Sequence, residues 1–88
     1  MPVISMFYGI IVRMYKEKSG KHHLPHVHAE YSGKEVVVTI DGQKLEGDMP
    51  TAKMKLLNAW LEIHQEELQA NWHLLENGEQ FFKIAPLQ

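Results

Sequence analysis

The sequence predicts an α+β fold: a four-stranded, mostly antiparallel β-meander with one face covered by one kinked or two C-terminal helices. Three observations carry this expectation. Apolar and polar residues alternate with period two from Val3 to Tyr15 and again from Glu35 to Ile40, as half-buried strands require. From Leu57 the apolar positions recur at intervals of three and four, the spacing of one helix face. Glycine- and proline-containing pairs lie between these stretches and turn the chain. The expected layout is a single domain over residues 1–88, with the sheet at 3–46, helices at 49–77 and a C-terminal segment at 79–88.

From Val3 to Tyr15 the even positions Ile4, Met6, Tyr8, Ile10, Val12 and Met14 form the face expected to be buried. Phe7, Ile11, Arg13 and Tyr15 then point outward, and Gly9 marks a bulge or bend that lets so long a strand curl. Lys16 to Pro25 reads as a wide hairpin loop around Ser19-Gly20. Pro25, which has no N–H to give to a ladder, fits the first position of the next strand. That strand, His26 to Tyr31, is answered by Glu35 to Ile40.

Two registers compete between them. A turn at Gly33-Lys34, with glycine where a type II′ turn needs positive φ, sets Tyr31 opposite Val36, Ala29 opposite Val38 and His28 opposite Thr39. A turn at Ser32-Gly33 puts Glu30 directly across from Glu35, and opposed like charges destabilise a sheet. The first register is therefore expected. Asp41-Gly42 is a type I′ signal, so Gln43 to Glu46 returns as the fourth strand with Leu45 inward.

At Asp48 the period changes. Asp48 can cap a helix and Pro50 suits its first turn. Leu57, Leu61, His64, Leu68, Trp72 and Leu75 continue the helical spacing, and Asn77-Gly78 stops it. One helix over these residues would be about 42 Å long, whereas a domain of this length has a radius of gyration near 12 Å. A break is expected near His64 to Glu67. The tail, with Phe81, Phe82 and Ile84, should pack as an irregular segment or a short edge strand. Val12, Val38, Leu45, Leu57, Leu61 and Leu68 should share one core.

Composition bounds the function. The net charge of −2 gives no bulk attraction to phosphate. Without cysteine there is neither a disulfide framework nor a thiolate metal site. No apolar run approaches the roughly 20 residues of a membrane span, and the first residues read without the charged start and small-residue cleavage site expected of a secretory signal. The expectation is a soluble cytoplasmic protein.

Chemistry concentrates in Lys21-His22-His23-Leu24-Pro25-His26-Val27-His28-Ala29-Glu30-Tyr31, with four of the six histidines. Strand alternation puts His26, His28 and Glu30 on one face and Val27, Ala29 and Tyr31 on the other. His26 and His28 can present two imidazoles to one metal, with Glu30, His22 or His23 as third ligand. Nitrogen and oxygen donors without thiolate suit zinc or nickel. The same two histidines can instead act as base and acid on RNA, with Arg13 stabilising developing charge and Tyr15 beside them. Arg13, Lys16, Lys18 and Lys21 would supply a local basic cluster. The plain alternative is that both histidines are polar residues on the solvent side of a half-buried sheet, Arg13 a solvated sheet arginine and Tyr15 a partly buried aromatic.

A third expectation is a binding module without chemistry, pairing with a partner or with itself. Trp60 and Trp72 are core residues on their helical spacing, unless one stays exposed as an interface anchor. His64 reads as a core or kink residue, and Glu62, Glu66 and Glu67 as a solvated face.

The opening Pro2-Val3-Ile4-Ser5-Met6-Phe7-Tyr8-Gly9-Ile10, the later Met14-Tyr15, the block Pro25-His26-Val27-His28-Ala29-Glu30-Tyr31, and the closing helix with Trp60, His64, Glu67-Leu68 and Asn71-Trp72 together resemble a family of small bacterial proteins catalogued as a domain of unknown function. The resemblance covers nearly the whole chain. It implies a second small protein encoded by the neighbouring gene and a toxin–antitoxin-like pair, and it brings no catalytic residues.

Overall fold

A two-residue turn splits the first apolar stretch into two strands, where one curled strand was expected. The computed structural model describes residues 3–15 and 24–88. Among these the order is β1 (Val3–Phe7), β2 (Ile10–Arg13), β3 (His26–Tyr31), β4 (Lys34–Thr39), β5 (Lys44–Gly47), α1 (Thr51–Ile63) and α2 (Gln65–Glu76). The strands form one open antiparallel meander in chain order, so the described residues hold five strands and not four. The Cα radius of gyration is 11.9 Å.

The extra strand comes from Tyr8 and Gly9, which both take positive φ, +49° and +81°, as a type I′ turn requires. The turn sets Phe7 opposite Ile10 and Met6 opposite Ile11, and a bulge at Ile4 separates the Val3–Arg13 and Ser5–Val12 pairs. Ile4 is buried as expected, and between the bulge and Gly9 the expected parity is reversed. Phe7 is buried, while Met6 and Tyr8 are 61% and 53% exposed.

The β3–β4 turn is Ser32-Gly33, both at positive φ, and not Gly33-Lys34. Val27 faces Val38, Ala29 faces Val36, and Glu30 faces Glu35, the register rejected on charge. A third strand supplies the reason. Arg13 on β2 donates to the Glu30 carboxylate at 2.9 Å, and the Glu35 carboxylate lies 3.7 Å from His28 Nδ1. The Glu30 side of the opposed pair is thus answered by a group that two-strand reasoning leaves out.

The β4–β5 connection is also longer than the expected two-residue turn. Gly42 N–H donates to Thr39 O and Thr39 N–H to Gln43 O, with Gly42 at φ +98°, so Ile40, Asp41 and Gly42 form a three-residue loop with a glycine bulge. The Thr39 hydroxyl braces it, donating to Asp41 and accepting from Gln43 N–H. Leu45 is half-buried on the short β5 edge, outside the core it was expected to join.

Asp48 does not cap α1. Its carboxylate accepts from Met49 N–H at 3.0 Å, and Pro50 O receives the first helical amides, those of Lys53 and Met54. The helical stretch breaks at His64, within the expected interval, where φ −109° and ψ 29° leave helical geometry. The Gln65 side chain spans the break, donating to Ile40 O and Leu61 O. At the far end Gly78 takes φ +72°, with Glu79 N–H on Leu74 O and Gly78 N–H on Leu75 O, a Schellman stop.

Leu57, Trp60 and Leu61 of α1 and Leu68 and Trp72 of α2 pack with Val12, Val27, Ala29, Val36 and Val38 in one core. Both tryptophans are buried, so neither is an exposed anchor. The tail is irregular and tied down. The buried Asn71 amide bonds both backbone groups of Phe82, Trp60 Nε1 donates to Ala85 O, and Ile84 N–H donates to Ile4 O on the β1 edge. Among the described residues no helix is long and apolar enough to cross a membrane.

Candidate functional site

The pairings lay the second sheet face out in rows. Val3, Arg13, His28, Val37 and Glu46 follow one another across the five strands, next to Met6, Ile11, Glu30 and Glu35, with His26 opposite Thr39. Alternation places this face away from Val12, Ala29, Val36 and Val38, which meet the helices. Arg13, His26, His28 and Glu30 are thereby assembled on neighbouring strands, with Tyr15 two residues past the end of β2.

Both histidines are buried, at 1% and 7% exposure, and are not the solvated residues of the plain alternative. His26 lies between two rings, that of His28 at 5.3 Å and that of Trp72 from α2 at 5.2 Å. Tyr15 stacks on His28 at 4.5 Å with an interplanar angle of 19°. Burial at this point of the strand therefore depends on side chains delivered by the residues just after β2 and by α2. His26 Nδ1 is 2.6 Å from the Leu24 carbonyl oxygen. A carbonyl only accepts, so Nδ1 carries the hydrogen of this contact.

Arg13, the candidate for stabilising developing negative charge, donates to Glu30, the candidate third metal ligand. Each is thereby drawn toward the other. Among the described residues no group of three or more histidine and carboxylate side chains converges to hold a metal ion. His22, His23, the Ser19-Gly20 loop and the lysines Lys16, Lys18 and Lys21 lie outside the described residues. His64 Nδ1 is 2.6 Å from Glu67 Oε1 and its ring is 5.4 Å from that of Trp60, the arrangement of a kink residue.

Sequence reasoning missed Glu35, Leu24 and Trp72 as neighbours of the histidines. Only the first carries a sequence signal, since the Ser32-Gly33 register, once chosen, places it beside His28 and Glu30.

Fold and site define a small α+β domain in which a five-stranded meander, helix-covered on one face, carries a packed histidine pair on the other. The sequence model of the family described as Domain of unknown function (DUF4160) matches residues 9–73, and the chain belongs to that family. No curated protein and no solved structure matches it.

Proposed function

We propose that this chain is one component of a two-protein bacterial module of the toxin–antitoxin kind, working in the cytoplasm. It meets a second small protein, encoded by the neighbouring gene, through the sheet face that bears His26 and His28. The observation that carries this reading is the make-up of that face. Exposed Met6 and half-buried Ile11 adjoin the Arg13–Glu30 pair, so apolar surface sits beside polar groups that already satisfy one another. Protein interfaces combine an apolar centre with a paired polar rim in this way. The test is titration of the purified neighbour protein into wild-type chain and variants by calorimetry. Ile11→Asp should abolish association, whereas binding should survive at least one of His26→Ala and His28→Ala, because apolar contacts supply most of the energy. Absence of association, or binding indifferent to Ile11→Asp, defeats the reading. Loss in both histidine variants with folding intact would make the imidazoles the interface itself.

A second reading is favoured by the Leu24 bond to His26, since fixing Nδ1–H is how proteins aim Nε2 at a metal or a proton. Zinc or nickel would take His26 and His28 with a third ligand from Glu30, His22 or His23. Metal-free acid–base cleavage of RNA would use the same imidazoles with Arg13 and Tyr15. Elemental analysis of tag-free protein, and chelator-resistant ribonuclease activity with a bell-shaped pH profile, separate the two.

A further inference from the structure

The chain has three asparagines, Asn58, Asn71 and Asn77, and the fold treats them differently. Asn71 is fully buried, both ends of its carboxamide are bonded to the Phe82 backbone, and its successor Trp72 continues α2. Asn58 stands in the middle of α1 and is followed by Ala59 in the same helix. Asn77 is exposed, forms the C-cap of α2 and is followed by Gly78.

That last setting suits a reaction the chain can perform on itself. The backbone nitrogen of the residue after an asparagine attacks the carboxamide carbon. A bond forms between Gly78 N and Asn77 Cγ, the bond from Cγ to Nδ2 breaks, and the amide leaves as ammonia with the Gly78 proton. Water then opens the cyclic imide at either carbonyl, leaving aspartate or isoaspartate. Gly78 brings no Cβ to obstruct the ring, and no described atom lies within 4 Å of where one would stand.

The folded chain brakes the attack without preventing it. Gly78 N–H donates to Leu75 O at 3.2 Å, Glu79 N–H donates to Leu74 O at 2.8 Å, and Asn77 rests at φ −88° and ψ 5°. Closing the ring requires the last turn of α2 to open. Helix ends open at far lower free energy than helix centres, where Ala59 and Trp72 keep their amides.

We infer that Asn77 is a self-modification site, and that its conversion loosens the C-terminal tail. The product carries a negative charge at the end of α2, where the helix dipole disfavours anions, between Glu76 and Glu79. Isoaspartate also adds one carbon to the main chain inside the Schellman turn. The tail leaves from that turn to reach Asn71 through Phe82, Ile4 through Ile84 and Trp60 through Ala85. The inference stands apart from the two-protein reading.

The test is to age the full chain at mildly alkaline pH and map it by mass spectrometry, with isoaspartyl methyltransferase labelling to identify the isoaspartate. Asn77 should convert at least about tenfold faster than Asn58 or Asn71. Aged protein and Asn77→Asp should release the tail to protease sooner than fresh wild type, whereas Asn77→Gln, which keeps an amide, should match wild type. Equal conversion at the three asparagines, or none at Asn77, overturns the site. Converted protein and Asn77→Asp with tails as protected as in fresh wild type overturn the loosening.

Discussion

Gly47, the last residue of β5, sits at φ +74°, and a Cβ built on it would lie 2.0 Å from the carbonyl oxygen of Glu35 and 3.2 Å from Val36 Cα. These are backbone atoms of β4 and cannot swing aside as a side chain would. Alanine at this position costs about 1–2 kcal/mol for the left-handed conformation alone. Restoring contact distance forces β5 away from β4, and the 3.2 Å bond from Asp48 N–H to Glu35 O is lost, at about 1 kcal/mol. Reduced freedom of the unfolded chain offsets about 0.4–1 kcal/mol. The net expectation is destabilisation of about 1–2.6 kcal/mol, and for a domain of this size a loss near 2 kcal/mol corresponds to roughly 8–16 °C in melting temperature. Gly33→Ala is the control, because Gly33 has φ +82° but nothing within 4 Å of an added Cβ. Urea unfolding of both variants separates the conformational cost from the clash. Gly47→Ala proving no worse than Gly33→Ala would refute the argument that β5 approaches β4 as closely as the structure has it.

Leu61→Ala removes a side chain 1% exposed at the centre of the core and should cost about 2–5 kcal/mol by chemical denaturation. Asn71→Ala deletes both hydrogen bonds to Phe82, about 1–3 kcal/mol, and should make the tail cleavable by protease while helix content by circular dichroism persists. Asp48 has its pKa lowered, first by the Met49 N–H and then by Lys44. Its contribution is therefore complete above the ordinary carboxylate pKa and lost as pH falls through the depressed folded value. Asp48→Asn should leave the acid limb of the stability curve slightly flatter, with no difference in pH dependence above that range. Arg13→Ala should destabilise the sheet, and the cost should shrink when Glu35→Gln is present; equal costs in both backgrounds would break the proposed link between the three residues.

The elements that could be read from sequence were those decided within a few residues. Helical spacing from Leu57 to Leu75 and the Asn77-Gly78 stop are local, and the break at His64 follows from comparing helix length with the size an 88-residue body can have. The fifth strand was hidden because tyrosine is a poor signal for positive φ. Once Tyr8-Gly9 is taken as a bend and not a turn, alternation assigns Met6 and Phe7 to the wrong faces. Asp41-Gly42 marked a real reversal, yet the pair alone does not distinguish a two-residue turn from the three-residue loop that the Thr39 hydroxyl braces.

The histidine face shows how far strand parity reaches. The i and i+2 spacing puts His26 and His28 on one side whatever the register, whereas their burial is supplied by Tyr15 and by Trp72, more than forty residues away in the chain. The register itself turned on a charge argument that was sound for two strands and failed for three. In isolation a β3–β4 hairpin in the observed register opposes Glu30 and Glu35 without Arg13. Adding β2 brings Arg13 opposite His28 and its guanidinium onto Glu30, so the pairing of β2 with β3 and the register of β3 with β4 support each other. The same Arg13–Glu30 bond ties the polar part of the proposed interface to the strand arrangement. A change that slips the register by one residue would move the histidines to the core face and strand the carboxylates without their arginine.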